Sequence, residues 1–414
     1  MTIKIKILAA ALVVALSAPA IAGDLTLSAP GATDTVPAKL STAITKNASQ
    51  LESAPLQFAW RLDETAPLSA VSAPHQTASK EYWDTRSASE LSNGVLIPTT
   101  AAGAIVRLSP AAGASNKALE ARRVVITKDG RSYADGSGMQ TVADSEELAK
   151  GEAAFPAGST VFRIDPALGA GAFKMQVPQA TGATIVHVFE PNSSLHLDLK
   201  ADRTAYQAGG VIKVDAQLRD GDQVLKAAEI SGMITSADGQ VREFAFVANQ
   251  AGGYSAELPA DLKSDASRGL FEIQTFVSAS SSKGRVLRDA RTAFAYSVPS
   301  ARLTGAARTV AVKMRDPVVY LEFDVEVAIP SRYQIGAVLY GTDAKGAKVP
   351  LAMAQSAQLL DAGVHGLTLL YGPDVLDGAK AGAPYEIRDL QLVNQADMGL
   401  QEQRVHALTL ETTR

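Results

Sequence analysis

The chain has 414 residues, 46% of them hydrophobic and 20% charged. That excludes a disordered protein and leaves room for two to four domains, each able to bury its own core. Lys and Arg number 39 against 43 Asp and Glu, a formal net charge of −4, which excludes a basic footprint for nucleic acid or an anionic membrane. Cysteine is absent, so thiol catalysis, disulfide frameworks and cysteine-ligated metal sites are excluded too.

The stretch from Met1 to Ala22 reads as an export signal. Lys4 and Lys6 give a positive start, residues 7–16 form an apolar run too short to span a bilayer, and Ala20-Ile21-Ala22 is a small-x-small cleavage site. Cleavage is expected after Ala22, with no cysteine behind it to carry a lipid. No later apolar run reaches spanning length. The expectation is a periplasmic or extracellular protein with a bacterial type of signal.

Residues 23–55 are rich in Ala, Ser, Thr and Pro. They read as an extended lead segment, loosely attached or lying along the first domain. Residues 56–191 read as an N-terminal β-rich domain with one short helix. Phe58 and Trp60 share one side of an extended run. Tyr82 and Trp83 follow, then a helical turn or loop at 90–95 and strands at 104–108 and 124–126. Asp144 with Glu147 three residues on has the form of a capping box, closed by Lys150 and Gly151. Strands follow at 160–164, 173–177 and 185–189.

After the turn residues 191–194, the stretch to Val298 reads as a sandwich of seven short strands. Ile212, Val214, Ala216 and Leu218 alternate with Lys213, Asp215 and Gln217, one face apolar and the other wet. Residues 261–268 are a polar excursion with room for a short helix, and 278–284 a serine-rich hairpin tip. Pro299-Ser300 opens a second sandwich. Its cleanest strand sets Val319, Leu321, Phe323, Val325 and Val327 against Tyr320, Glu322, Asp324 and Glu326. Strands recur without long helical patterns, so crossover parallel sheets are not expected. The predicted class is mainly β: an N-terminal β-rich domain followed by two immunoglobulin-like β-sandwiches, at 192–298 and 299–414.

At Tyr82-Trp83, residues 103–110 (GAIVRLSP), residues 187–191 (HVFEP) and residues 384–390 (PYEIRDL), the chain resembles the exported gammaproteobacterial family catalogued as domain of unknown function 4785. The similarity covers most of the mature chain. It implies a secreted or periplasmic protein with immunoglobulin-like sandwiches behind a β-rich first domain. It brings no activity and no catalytic residues.

No catalytic set is assigned. A G-x-S-x-G elbow is missing, and the S-x-x-K match at 280–283 lies in the serine-rich tip without its companion motifs. The five histidines, at 75, 187, 196, 365 and 406, form no H-E-x-x-H or H-x-H pair; His187 and His196 alternate with apolar residues and are expected on wet faces. Asp198, Asp202, Asp220 and Asp222 lie at the ends of neighbouring predicted strands. Oxygens converging there would hold a hard cation such as calcium, against the plainer reading of turn formation. No other cofactor is expected. Trp60, Trp83 and Tyr82 are the candidate partner-binding residues, as a stacking platform for a sugar or peptide, against the plainer reading of core anchors. The functional expectation is a monomeric, exported, non-enzymatic protein that binds a protein or glycan. The alternative is a hydrolase of glycans or cell-wall material whose carboxylates converge only in the fold.

Overall fold

The strand Val319–Val327 has the alternation its sequence predicts: Leu321, Phe323, Val325 and Val327 are buried, and the residues between them are half-exposed. The same inside–outside period recurs in strands such as Thr184–Phe189, Leu195–Ala201 and Val211–Asp220 of the computed structural model, which describes residues 21–42, 51–69, 76–114, 119–143, 147–148, 155–236, 238–262, 270–310 and 318–410. The chain is nearly all antiparallel β-structure, divided into two units: residues 72–296, and residues 1–71 together with 297–414. The signal sequence up to residue 20, the Asp144 end of the capping box, and most of the 261–268 excursion lie outside the described residues.

The discontinuous unit is a sandwich of two sheets. Its five-stranded sheet runs Leu56–Arg61, Lys348–Leu360, Ser331–Thr342, Gly382–Asn394, Gly399–Leu410. Its four-stranded sheet runs Ile21–Thr26, Ala301–Val310, Val319–Val327, Gly363–Tyr371. Between them lie Tyr333, Ile335, Ala337 and Leu339 on one side and Leu321, Phe323, Leu367 and Leu369 on the other.

Two expectations are corrected here. The start of the lead segment is not loose: it is built into the discontinuous unit. Gly23, Asp24, Leu25 and Thr26 pair with Thr309, Arg308, Ala307 and Ala306, Leu27 is buried in the same core, and Asp34 accepts the Val405 N–H at 2.8 Å. The Phe58 and Trp60 strand, placed in the N-terminal domain by its position in the chain, pairs from Leu56 to Arg61 with Ala357 to Ala352. A period of two reveals which residues share a face; it carries no information about the partner strand.

The contiguous unit contains two cores. One is closed by the strands Val95–Thr99, Gly171–Gln176, Val125–Lys128 and Arg131–Tyr133. They pack on Tyr82, Val106, Leu108, Phe162, Val186 and Val188. The second lies between Leu195–Ala201 with Val211–Asp220 and the long hairpin Phe271–Ser281 with Gly284–Ser297. A ten-stranded sheet runs through both and is joined at the single pair Asp289 with Glu81. The helix Ala88–Asn93 is started by Ser87, whose Oγ accepts the Glu90 N–H while Glu90 returns a carboxylate to the Ser87 N–H. It ends at Gly94, whose φ of +98° a side chain would oppose.

Candidate functional site

Three strands of the ten-stranded sheet, Glu81–Arg86, Thr184–Phe189 and Ile105–Pro110, turn one face to the core and the other outward. Tyr82, Val186, Val188, Val106 and Leu108 face inward and are buried. On the outward face Trp83, His187 and Arg107 stand directly opposite one another across the three strands. Directly opposed side chains on one face lie about 5 Å apart at Cβ, so the three form one continuous row. Around the row, Ile105, Ile185, Phe189 and Val161 are half-buried on the same face. A solvated sheet face would carry polar residues at those positions.

The row is held from both ends. His187 Nε2 and Glu81 Oε2 are 2.8 Å apart, and that bond holds the Glu81 carboxyl below its ordinary range. The Trp83 ring lies 6.3 Å from the His187 ring and meets Phe276 edge-on at 6.2 Å. The Arg291 guanidinium sits 4.1 Å above the same indole, a cation–π contact. The strand Glu81–Arg86 is matched to the central hairpin by one residue pair only, so its neighbouring backbone groups need other partners. Asp289 supplies one, accepting the Trp83 N–H at 2.8 Å. Burial pushes the Asp289 carboxyl up to about 7, and the Trp83 N–H opposes that rise.

Arg107 differs from the other cations of this face. Its guanidinium lies 5.5 Å from the Phe155 ring. Its Nε is buried without a hydrogen-bond partner, and burial lowers its pKa ahead of any charged neighbour. Glu81 is the one acid whose charge acts on it, and that carboxylate is engaged by His187.

On the inward side of the junction lies a structural counterpart. Arg288 Nη1 and Glu190 Oε2 are 2.7 Å apart, both side chains wholly buried. Arg288 also donates to the Leu195 carbonyl, Thr100 Oγ1 and Ser193 Oγ, each at 3.0 Å. Glu190 accepts from the backbone N–H groups of Thr100 and Ala101. Satisfied on every side, this pair is architecture rather than chemistry.

The candidate residues are distributed as follows. Trp83 belongs to the outward row. Tyr82 does not: it is 4% exposed and its hydroxyl donates to the Pro98 carbonyl at 2.9 Å, so it is a core residue. Trp60 is 40% exposed and stacks on Phe58 at 5.6 Å, in the other unit. The two tryptophans therefore lie in different compact units. The four aspartates do not converge. Asp198 faces His196 and Arg219 at 3.7 and 4.0 Å. Asp202 accepts from the Tyr206 hydroxyl and the Lys213 N–H. Asp220 takes Lys283 at 2.9 Å and the Ser194 hydroxyl, and Asp222 offers its carbonyl to Arg219. Among the described residues no three His, Asp or Glu side chains gather as a metal-binding group. His187, Arg107 and Asp289 were not singled out from the sequence as site residues. Their signal was the alternation that sets His187 and Arg107 among outward apolar residues.

The fold defines a multidomain antiparallel β-protein. Three family models match in succession: the N-terminal domain of the domain of unknown function DUF4785 over residues 47–190, its central domain over 193–297 and its C-terminal domain over 300–411. The chain belongs to the DUF4785 family. It is similar to the crystal structure of a DUF4785 family protein from Legionella pneumophila, with 21% identity and a TM-score of 0.73 over 91% of this chain and 99% of that one. A Salmonella alpha-2-macroglobulin aligns at 15% identity with a TM-score of 0.29, over 82% of this chain and 21% of its own. No curated protein matches the chain. No helix among the described residues is long and apolar enough to cross a membrane.

Proposed function

We propose that this is an exported, non-enzymatic β-protein that binds a protein or glycan partner outside the cytoplasm through the outward face around Trp83, His187 and Arg107. One observation carries the reading. Ile105, Ile185, Phe189 and Val161 stand around an aromatic and cationic row on the face of a sheet turned away from its core. Outward apolar and aromatic groups set among a few placed polar groups are the composition of contact surfaces. The export half of the reading rests on the signal-like stretch from Met1 to Ala22.

A second reading, a glycan hydrolase, has one observation in its favour. Glu81 and Asp289 are opposed in register, one held ionised and the other inclined to keep its proton. Divergent proton affinities in a carboxylate pair suit acid–base work. Asp289, however, is 4% exposed and bound to the Trp83 N–H, which favours the seam over a substrate. The test is binding of the chain from Gly23 onward to isolated cell-envelope material, for wild type and Val161→Lys. A charge at Val161 is expected to reduce retention; undiminished retention sinks the assignment of this face. Release of new reducing ends, lost in Asp289→Asn, would replace the binding reading with the hydrolase.

A further inference from the structure

The five-stranded sheet of the discontinuous unit has two edges, and only one is guarded. Along Gly399–Leu410, Thr35 and Gln403 exchange backbone hydrogen bonds of 3.0 and 2.8 Å, and Asp34 accepts the Val405 N–H. Along Leu56–Arg61 no strand among the described residues pairs with the outer side.

The register identifies the groups left over. Leu62 donates to the carbonyl of Leu351, the residue next in register, at 2.9 Å. Backbone groups point alternately to the two sides of a strand. Leu56, Phe58 and Trp60 therefore bond to Lys348–Leu360, and Gln57, Ala59 and Arg61 turn their N–H and C=O groups away from the sheet. Open edges are ordinarily protected by a charge, a proline or a bulge within the strand. The one charge here, Arg61, is committed to the carbonyls of Val375 and Asp377. Ala59 packs on the core, while Leu56, Phe58 and Trp60 are exposed on the outer face with Phe58 stacked on Trp60.

Both ends of this edge are fixed. Pro55 has no N–H to offer, and Asp63 turns the chain by accepting the N–H groups of Thr65 and Ala66 at 2.8 and 3.0 Å. The window left is 56–62, and its midpoint is Ala59. Laid antiparallel on its own copy about that midpoint, the strand sets Ala59 opposite Ala59, Gln57 opposite Arg61 and Phe58 opposite Trp60. Every outward N–H then meets an outward C=O, and no like charges are opposed. Phe58 and Trp60 fall at the non-hydrogen-bonded positions, where opposed side chains come closest. Such self-complementarity is what a two-fold interface requires. An unrelated extended segment would satisfy the backbone and leave the aromatic pairs unmade.

We propose that the edge Leu56–Arg61 is a homodimer interface, in which two copies pair antiparallel about Ala59 into one continuous sheet and close their Phe58 and Trp60 rings on each other. The inference is independent of the reading of the Trp83 face. The contact is one strand wide, at the small end of specific interfaces, so a dissociation constant on the order of micromolar is expected rather than a permanent dimer.

The test is sedimentation velocity of the full chain, and of the chain from Gly23 onward, from about 1 to 200 µM. Both forms are expected to pass from monomer to dimer across that range. Gln57→Arg sets two arginine pairs face to face and should weaken the dimer roughly tenfold or more. Ala59→Pro removes the central N–H, which has no partner within the chain, and should abolish it. Melting temperature and circular dichroism check that each variant folds. Cysteine is absent from the chain, so a mixture of Phe58→Cys and Trp60→Cys chains reads the register: the mixed disulfide should exceed either symmetric one. A chain that stays monomeric throughout overturns the proposal. So does a dimer unmoved by both Gln57→Arg and Ala59→Pro, or a symmetric disulfide in excess.

Discussion

Glu190 and Arg288, far apart in the chain, meet at 2.7 Å, both without solvent exposure. Glu190 is the last residue matched by the N-terminal family model, and Arg288 lies within the central one. The pair therefore rivets two family domains into one unit. Removing one partner leaves the other charge buried and unpaired, which costs about 3–5 kcal/mol. Arg288→Met and Glu190→Gln are each expected to destabilise the contiguous unit by that amount in urea titrations. The double variant should cost less than the sum of the two, because the penalty is mostly the orphaned charge.

Asp289 gives stability a pH dependence of known sign. Its carboxyl titrates near 7 in the fold and near 3.9 in an unfolded chain. The folded state then holds more proton between those values, so stability contributed by the protonated group is full below about pH 4 and is lost as the pH rises towards 7. Glu81, held low by His187, acts in the opposite sense: its stabilisation is lost as the pH falls through the acid range. Asp289→Asn keeps an acceptor for the Trp83 N–H and removes the titration. It is expected to flatten the fall between pH 4 and 7, a change on the order of 2–4 kcal/mol, read from unfolding free energies at half-unit intervals. A wild-type curve that rises through that window would refute the account.

Leu27 is 7% exposed in the core of the discontinuous unit. Its truncation to alanine should cost about 2–4 kcal/mol, in the unfolding of that unit and not of the other. A probe confined to each unit, such as Trp60 fluorescence against Trp83 fluorescence in single-tryptophan variants, separates the two. Loss felt equally by both probes would contradict the division.

The carboxylates of Asp198, Asp202 and Asp220 each answer to a hydroxyl, a backbone group or a cation of the chain itself, and Asp222 contributes its backbone carbonyl to Arg219. Calcium at millimolar concentration, or a chelator, is accordingly expected to leave the melting temperature unchanged. A rise of several degrees with calcium would require these side chains to regroup.

Much of this fold is legible in single strands. The alternation from Val319 to Val327 and from Ile212 to Leu218 predicts both the strands and their buried faces. What local pattern does not contain is long-range pairing. The strand Leu56–Arg61 reads equally well as a member of any sheet, and its true neighbour lies far down the chain, at Ala352 to Ala357. The site is partly legible for the same reason. Trp83 stands out by composition, whereas His187 becomes interesting only beside Glu81, 106 residues away. Arg288 carried a local sign that composition hides: it falls in phase with Val286, Ala290, Thr292 and Phe294, all buried. A charge in phase with a core row demands a buried counter-charge, and Glu190 provides it.

The sandwich completed by residues 21–27 and 56–61 also dictates an order of events. Its other strands begin at Ala301, and its last runs to Leu410, so a nascent chain must keep its early strands waiting while the intervening stretch, 72–296, folds as a contiguous body. Folding is therefore not vectorial. The first strands to emerge are among the last to find a home, and until then they are exposed, adhesive β-edges of the kind that aggregates. A chaperone that holds extended segments during that interval would protect this protein most at its beginning, in particular at Leu56, Phe58 and Trp60.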